Sequence, residues 1–482
     1  MQSLQAQAFD SEYFRKQGHL LVDLLANYIR DAQKGPEDMP VFPRKHPDQL
    51  YQEWQKDYEE HYQDKDIQKV FEKILRENIH TLHPKYLGHQ VASPLPINAL
   101  ADMLGSLMNS GMGVYEMGSP MVALERLVVK ETAKVLGFSE AADGILTSGG
   151  SLGNLTALLA ARSAKAGYDL WQEGQRNKSK LAVMVSAESH YCVNRAIKIM
   201  GWGEEGIVKI PVNAQKQVAI QALAPTYEAA RARGLQVIAV VANACSTSTG
   251  SYDDIAALAD FCEERDLWLH VDGAHGGAVI FSDKYRSLVR GIERADSVVL
   301  DYHKMLLTTA LATALLFKDG NQAYHTFAQK ADYLWESSEE AEWYNLGKRT
   351  IECTKHAMSL RIYAIMRTYG REIFAEQVDY QYDLARSFAQ LLEKSPDFEL
   401  AMPPEANILC FRYCPEGCQA EALNELIARM RKAIIESGKF YIVQTLIEGK
   451  VYLRTTLMNP FTHQQDLEHL LHFIRSRYMV NA

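Results

Sequence analysis

Three short stretches carry residues that could act together on one small molecule. In TSGGSLGNLTALLAAR, residues 147–162, Gly149, Gly150 and Ser151 come directly before an apolar-periodic helix. Glycines let backbone N–H groups close on a ligand, and the free N–H groups and dipole of a helix start attract phosphate. The same letters also read as a Gly-rich turn with Ser as its helix cap. No Lys follows at the spacing of a nucleoside-triphosphate loop, which disfavours that ligand. HVDGAHGGA, residues 270–278, brings a strand to Asp272 and continues with small residues that leave room for a flat ligand. A carboxylate held in such a cleft can keep a ring nitrogen protonated, or it can cap a turn. SVVLDYHKMLL, residues 297–307, delivers His303 and Lys304 to a strand end. Most lysines are solvated surface groups, but burial there would lower the pKa of Lys304 and leave a nucleophilic amine.

A phosphate cradle, a carboxylate for a pyridinium nitrogen and an amine for an aldehyde are the three needs of pyridoxal 5'-phosphate (PLP). Each motif is weak alone, and the set is specific. GWGEEG at 201–206 fits the dinucleotide pattern GxGxxG, yet it follows a helical stretch and precedes a strand, the reverse of what that fingerprint requires. It reads as a helix C-terminal turn. No metal is expected: Asp272 and His275 lack a third ligand. Cys410, Cys414 and Cys418 have no CxxC pair or neighbouring His and lie beside a strand-like alternation.

These motifs need a scaffold that gathers strand ends. Near-continuous apolar runs begin at residues 181, 206, 236, 267 and 297, most with amphipathic helix between them. Strands of that composition belong in a mostly parallel sheet covered by helices on both faces, where ligands collect at the carboxyl ends. The α/β layered region is set at 81–375. Residues 376–482 read as a smaller C-terminal α+β domain. Residues 1–80 read as an N-terminal helical arm, with Leu20, Leu21, Leu24, Leu25 and Tyr28 at helical spacing and a Pro-bearing linker at 34–47. The arm is too small for a good core of its own and is expected to pack on the main body or on a second subunit.

The 482 residues are 47% hydrophobic and 23% charged, within the range of globular proteins. A net charge of −9 argues against a surface for nucleic acid. Neither a secretory signal nor a membrane-crossing stretch is read, and seven sparse cysteines fit a reduced cytoplasm, so a cytoplasmic protein is expected.

The motifs resemble those of the group II PLP-dependent amino acid decarboxylases, the family of aromatic amino acid, glutamate and cysteine sulfinate decarboxylases. Besides those above, the resemblance rests on HPKYLGHQ (83–90), SAESHYCVNRA (186–196), CSTSTGSYD (245–253), GIERADSVVLDYHK (291–304) and YLRTTLMNP (452–460). It implies the aspartate aminotransferase type of fold, PLP-dependent transferase fold type I, in a homodimer whose N-terminal arm wraps the partner. It further implies that Lys304 forms the Schiff base, Asp272 pairs with the pyridine nitrogen and His190 stacks on the ring. Gly149, Gly150, Ser151 and His303 match the phosphate region, Thr247 a threonine near the cofactor, and Ala274 the small residue beneath the ring. Tyr333, in KADYLWESS, aligns with a mobile-loop tyrosine that donates a proton in several members. Lys355 stands where relatives typically carry Arg, which alters any bidentate carboxylate contact. CSTSTG lacks a glycine that relatives often have. Arg454 matches a small-domain arginine. His89 and Gln90 replace an aromatic pair of aromatic-specific relatives and imply a polar substrate pocket, open to acidic, hydroxylated aromatic or diamino side chains. The expected reaction is decarboxylation of an L-amino acid to its amine. An aldehyde-forming variant, an aminotransferase on the same fold and a cofactor-free binding scaffold are the alternatives.

Overall fold

The computed structural model describes residues 3–61, 66–175, 180–327, 342–416 and 419–478. Its contacts divide the chain into two compact units, one of Met1–His89, Gln390–Ala401 and Cys410–Ala482, the other of Gln90–Ala389 and Met402–Leu409.

The second unit is built on a seven-stranded sheet of β1 (Asp143–Thr147), β2 (Lys180–Ser186), β3 (Ile207–Ile210), β4 (Leu235–Asn243), β5 (Trp268–Asp272), β6 (Ser297–Asp301) and β7 (Thr313–Phe317). Their order is β1-β7-β6-β5-β4-β2-β3. The pairs from β6 through β5, β4 and β2 to β3 are parallel, and β7 runs antiparallel to both β6 and β1. The five apolar runs of the sequence are thus the parallel strands. β1 and β7 were not among them: DGILT is short and begins with Asp and Gly, while TALLF merges into the apolar run after Lys304 and loses any strand alternation. Two reversals at β7 return β1 to the direction of β6, so the Gly-rich turn after β1 emerges at the same sheet edge as Asp272 and Lys304.

Burial on both faces explains the composition. Val183, Val185, Val241 and Val299 are fully buried, each contributing on the order of 1.5–3 kcal/mol. GWGEEG ends the helix Tyr191–Ile199, with the Gly201 N–H donating to the Lys198 carbonyl at 3.0 Å before β3 begins.

The first unit carries helices Ser11–Ala32, Pro47–His61 and Ile67–Glu77, and, but for the first two residues of β9, a four-stranded sheet in the order β10-β11-β9-β8. These strands are β8 (Phe398–Leu400), β9 (Ile408–Tyr413), β10 (Val443–Ile447) and β11 (Lys450–Thr456), with helices Ala420–Glu436 and Gln464–Tyr478. Only Ala32 of the helix Ser11–Ala32 is buried. Among the described residues no helix is long and apolar enough to cross a membrane.

Candidate active site

The carboxyl ends of β1, β2, β4, β5 and β6 present the predicted residues. After β1, Gly149 turns with φ +109°, a conformation that L side chains rarely adopt, and the helix Gly150–Lys165 starts at once. A Cβ on Gly150 would stand 3.3 Å from both the Ala274 Cβ and Asp301 Oδ2, so the helix start, the small residue after β5 and the end of β6 converge. Ser151 is exposed at this helix start. After β2, His190 caps the helix Tyr191–Ile199 by accepting the Cys192 N–H at 3.4 Å on Nδ1. After β4, the loop of Thr247 is tied to the His190 loop by the Ser248 hydroxyl, which donates to Glu188 Oε2 at 2.7 Å.

Electrostatics concentrate on Lys304. Its Nζ lies 3.0 Å from Asp301 Oδ2, and the Asp301 side chain is also an acceptor for the Thr313 hydroxyl. Burial alone would lower the Lys304 pKa, as its sequence position suggested. The negative charges of Asp301 and Asp272 outweigh burial and hold the ammonium above its ordinary value. The structure thus corrects the expected direction: the amine is held in a salt bridge with Asp301. Burial likewise pushes the Asp301 carboxyl up, but Lys304 and His303 prevail and hold it below the usual range. Burial shifts the His190 ring down, the negative charge of Asp272 opposes that shift, and the Lys304 ammonium adds to it. His303 Nδ1 can accept the Ala312 N–H at 3.1 Å, with Nε2 3.7 Å from Asp301 Oδ2.

Asp272 is 7% exposed and accepts from the Asn154 amide on Oδ2 at 3.0 Å and from the Ala274 N–H on Oδ1 at 3.2 Å. Asp301 and Asn154 were not singled out in the sequence. Asn154 lies one turn into the helix that begins at Gly150, a spacing that could have suggested it.

Other predicted residues have surroundings of their own. Lys355 is buried, its ammonium donating to Glu125 Oε1 and to the Leu146 carbonyl, while Glu125 Oε1 also takes the Leu146 N–H at 2.9 Å. The pair fastens the end of β1 just before the Gly-rich turn, and the Ser148 hydroxyl adds a 2.7 Å bond to Glu352. Lys355→Met is expected to leave Glu125 buried and uncompensated and to cost about 3 kcal/mol, read as a lower midpoint in urea unfolding. His89 and Arg454 belong to the first unit, where the His89 ring is 5.7 Å from that of Tyr441 and Arg454 lies on β11 opposite Val443. Gln90 begins the second unit. Tyr333 and Cys418 lie outside the described residues; Cys410 is buried, and the Cys414 thiol lies 3.7 Å from Glu399 Oε2. Among the described residues no group of three or more His, Cys, Asp or Glu is placed to hold a metal.

The residues present fit PLP. The primary amine of Lys304 and the buried carboxylate of Asp272 interact electrostatically, and the missing side chain at position 150 lets the helix start, whose N-terminus suits phosphate, pack closely against Ala274 and Asp301.

Comparison with known proteins agrees. The family model described as the pyridoxal-dependent decarboxylase conserved domain matches residues 47–414. An aromatic-L-amino-acid decarboxylase of Bacillus atrophaeus is 29% identical over 405 residues, covering 84% of this chain and 83% of that protein. The acidic amino acid decarboxylase GADL1 of Homo sapiens is 28% identical over 409 residues, covering 83% and 78%. The crystal structure of mouse CSAD superposes with a TM-score of 0.87 over 96% of this chain and 98% of that one at 24% identity, a likeness of fold. Together the family match and the fold place this chain in the pyridoxal-dependent decarboxylase family, as a PLP-dependent amino acid decarboxylase.

Proposed function

We propose that the chain converts an L-amino acid to its amine and carbon dioxide, with Lys304 as the residue that carries the cofactor through a Schiff base. The observation that carries this reading is the Lys304–Asp301 pair at the end of β6, in electrostatic reach of Asp272. Bound PLP supplies an aldehyde for amines and a conjugated ring that takes up the electron pair released with carbon dioxide. Asp272 would hold the ring nitrogen protonated, deepening that sink. His190 would lie on the ring face, with Ala274 leaving space opposite. Gly149, Gly150, Ser151 and His303 would hold the phosphate, and Thr247 would stand near the cofactor. Tyr333 is carried as the proton donor, and His89, Gln90 and Arg454 as substrate contacts, from the resemblance; Lys355, carried with them, instead has its ammonium on Glu125 and the Leu146 carbonyl.

The test is a panel of acidic, aromatic and diamino L-amino acids assayed for carbon dioxide, amine and aldehyde. Equimolar amine and carbon dioxide from one class is the expected result. Aldehyde in stoichiometric yield without amine would replace this reading with the oxidative variant.

The cytoplasmic site and the homodimer, with residues 1–80 as an arm on the partner, belong to the same proposal. The helix Ile97–Met108 supports the dimer. Leu100, Met103, Leu104, Leu107 and Met108, a stripe at helical spacing, are all 46% exposed or more, apolar surface that an isolated soluble chain seldom shows. Leu104→Lys with Leu107→Glu is expected to halve the mass in sedimentation equilibrium while the circular dichroism spectrum stays as in the wild type. An unchanged mass would move the interface elsewhere.

A further inference from the structure

Behind Asp272 runs a chain of buried polar groups that the proposed reaction does not itself use. Trp268 Nε1 donates to Ser297 Oγ at 2.8 Å, and Ser297 Oγ is 2.9 Å from His270 Nδ1. His270 Nε2 is 2.8 Å from Asn154 Oδ1, and Asn154 Nδ2 reaches Asp272 Oδ2 at 3.0 Å. Ser297 and His270 are 0% exposed, Asn154 1% and Trp268 3%, so water does not complete these bonds. Strand geometry makes the arrangement possible. Trp268, His270 and Asp272 alternate along β5 and share one face, and Ser297 opens β6 in register with His270.

The chemistry of the two ends allows only one orientation with every donor matched. An indole N–H can only donate and a carboxylate can only accept, so Ser297 takes the indole proton, Asn154 turns its N–H to Asp272 and its Oδ1 to His270 Nε2, and the unprotonated Nδ1 takes the Ser297 proton. The imidazole must then carry its proton on Nε2 and give it to Asn154 Oδ1. That leaves the Asn154 N–H groups for the Asp272 carboxylate and for Cys192 Sγ at 3.3 Å. A flipped amide would set oxygen against the carboxylate and N–H against N–H. Burial keeps His270 neutral, with its pKa down to about 4 despite the opposing charge of Asp272 and a contact with the Ser297 backbone.

We propose that Trp268, Ser297, His270 and Asn154 form a one-way hydrogen-bond relay that locks His270 in its Nε2–H tautomer and directs the Asn154 amide at Asp272, making all four positioning residues for that carboxylate. The functional half of this proposal rests on Asp272 facing the ring nitrogen of PLP. The structural half does not.

The first measurement is ring-nitrogen NMR of the full chain labelled with 15N-histidine, without cofactor, His270 being assigned by its loss in His270→Gln and independently by its displacement in Asn154→Asp. A protonated Nε2 and an unprotonated Nδ1 are expected from about pH 8 to 6. An Nδ1–H tautomer or a charged ring in that range overturns the relay, whatever reaction the protein performs. The second measurement is PLP affinity by fluorescence titration. Ser297→Ala is expected to weaken it about tenfold, the size of one lost hydrogen bond, and Ser297→Thr, which restores the hydroxyl, to recover it. Affinity unchanged in Ser297→Ala, with the tautomer as expected, overturns the functional half. Wild-type protein that binds no PLP at all would instead strike the decarboxylase reading and leave the tautomer result standing.

Discussion

Lys304→Ala is expected to remove the visible absorbance band of the PLP-loaded protein and to lower the decarboxylation rate by at least about 10^4-fold, the scale of deleting a covalent catalytic group. The structure adds a second consequence. Asp301 is 2% exposed and has Lys304 as its salt-bridge partner. Without the ammonium, the remaining Thr313 and His303 contacts compensate the carboxylate poorly. The cofactor-free variant should therefore lose ~2 kcal/mol of stability, a value kept below that of a fully buried pair because the Lys304 side chain is 21% exposed. Lys304→Arg separates the two effects. A guanidinium keeps the positive charge for Asp301 but stays protonated and offers no free amine. It should melt near the wild type in the cofactor-free state and still show neither band nor activity. A Lys304→Arg protein that retains the band would refute the assignment of the amine.

The legible part of this protein is the part set by local sequence. Five apolar runs located the five parallel strands because both faces of each are buried, and small residues or titratable groups at their ends marked the sheet edge. β1 and β7 escaped because five residues with Gly or an adjoining apolar run carry no distinctive period. The direction of the Lys304 shift also escaped. Burial can be guessed from an apolar neighbourhood, whereas the sign depends on where the carboxylate three residues earlier points, a rotamer that spacing does not specify. Asn154 and His270 were hidden for a related reason. Each looks like an ordinary helix or strand residue, and only the packing of the helix Gly150–Lys165 over β5 puts one amide between an imidazole and a carboxylate. Lys355 shows the converse, since its motif placed it by family position while its ammonium is occupied by Glu125 and the Leu146 carbonyl.

Asp272→Asn, equal in volume, should reduce the rate of carbon dioxide release on the order of 10^3-fold. The loss has two physical sources. The carboxylate oxygens both accept, one from Asn154 and one from the Ala274 N–H. An amide at 272 offers one acceptor and one donor, so whichever way it turns, an N–H faces another N–H, and the side chain cannot keep its present position without strain. The charge is also gone, so a protonated ring nitrogen would lose its counter-ion in a site shielded from water. A purely structural residue would lower rate and melting temperature together. Here the variant should lose only a few degrees of melting temperature, about the cost of one unsatisfied bond in a protein of this size, while single-turnover carbon dioxide release falls by orders of magnitude. Comparable losses in both, or a rate within about tenfold of the wild type, would remove Asp272 from the ring nitrogen and with it the role drawn for the buried chain behind it.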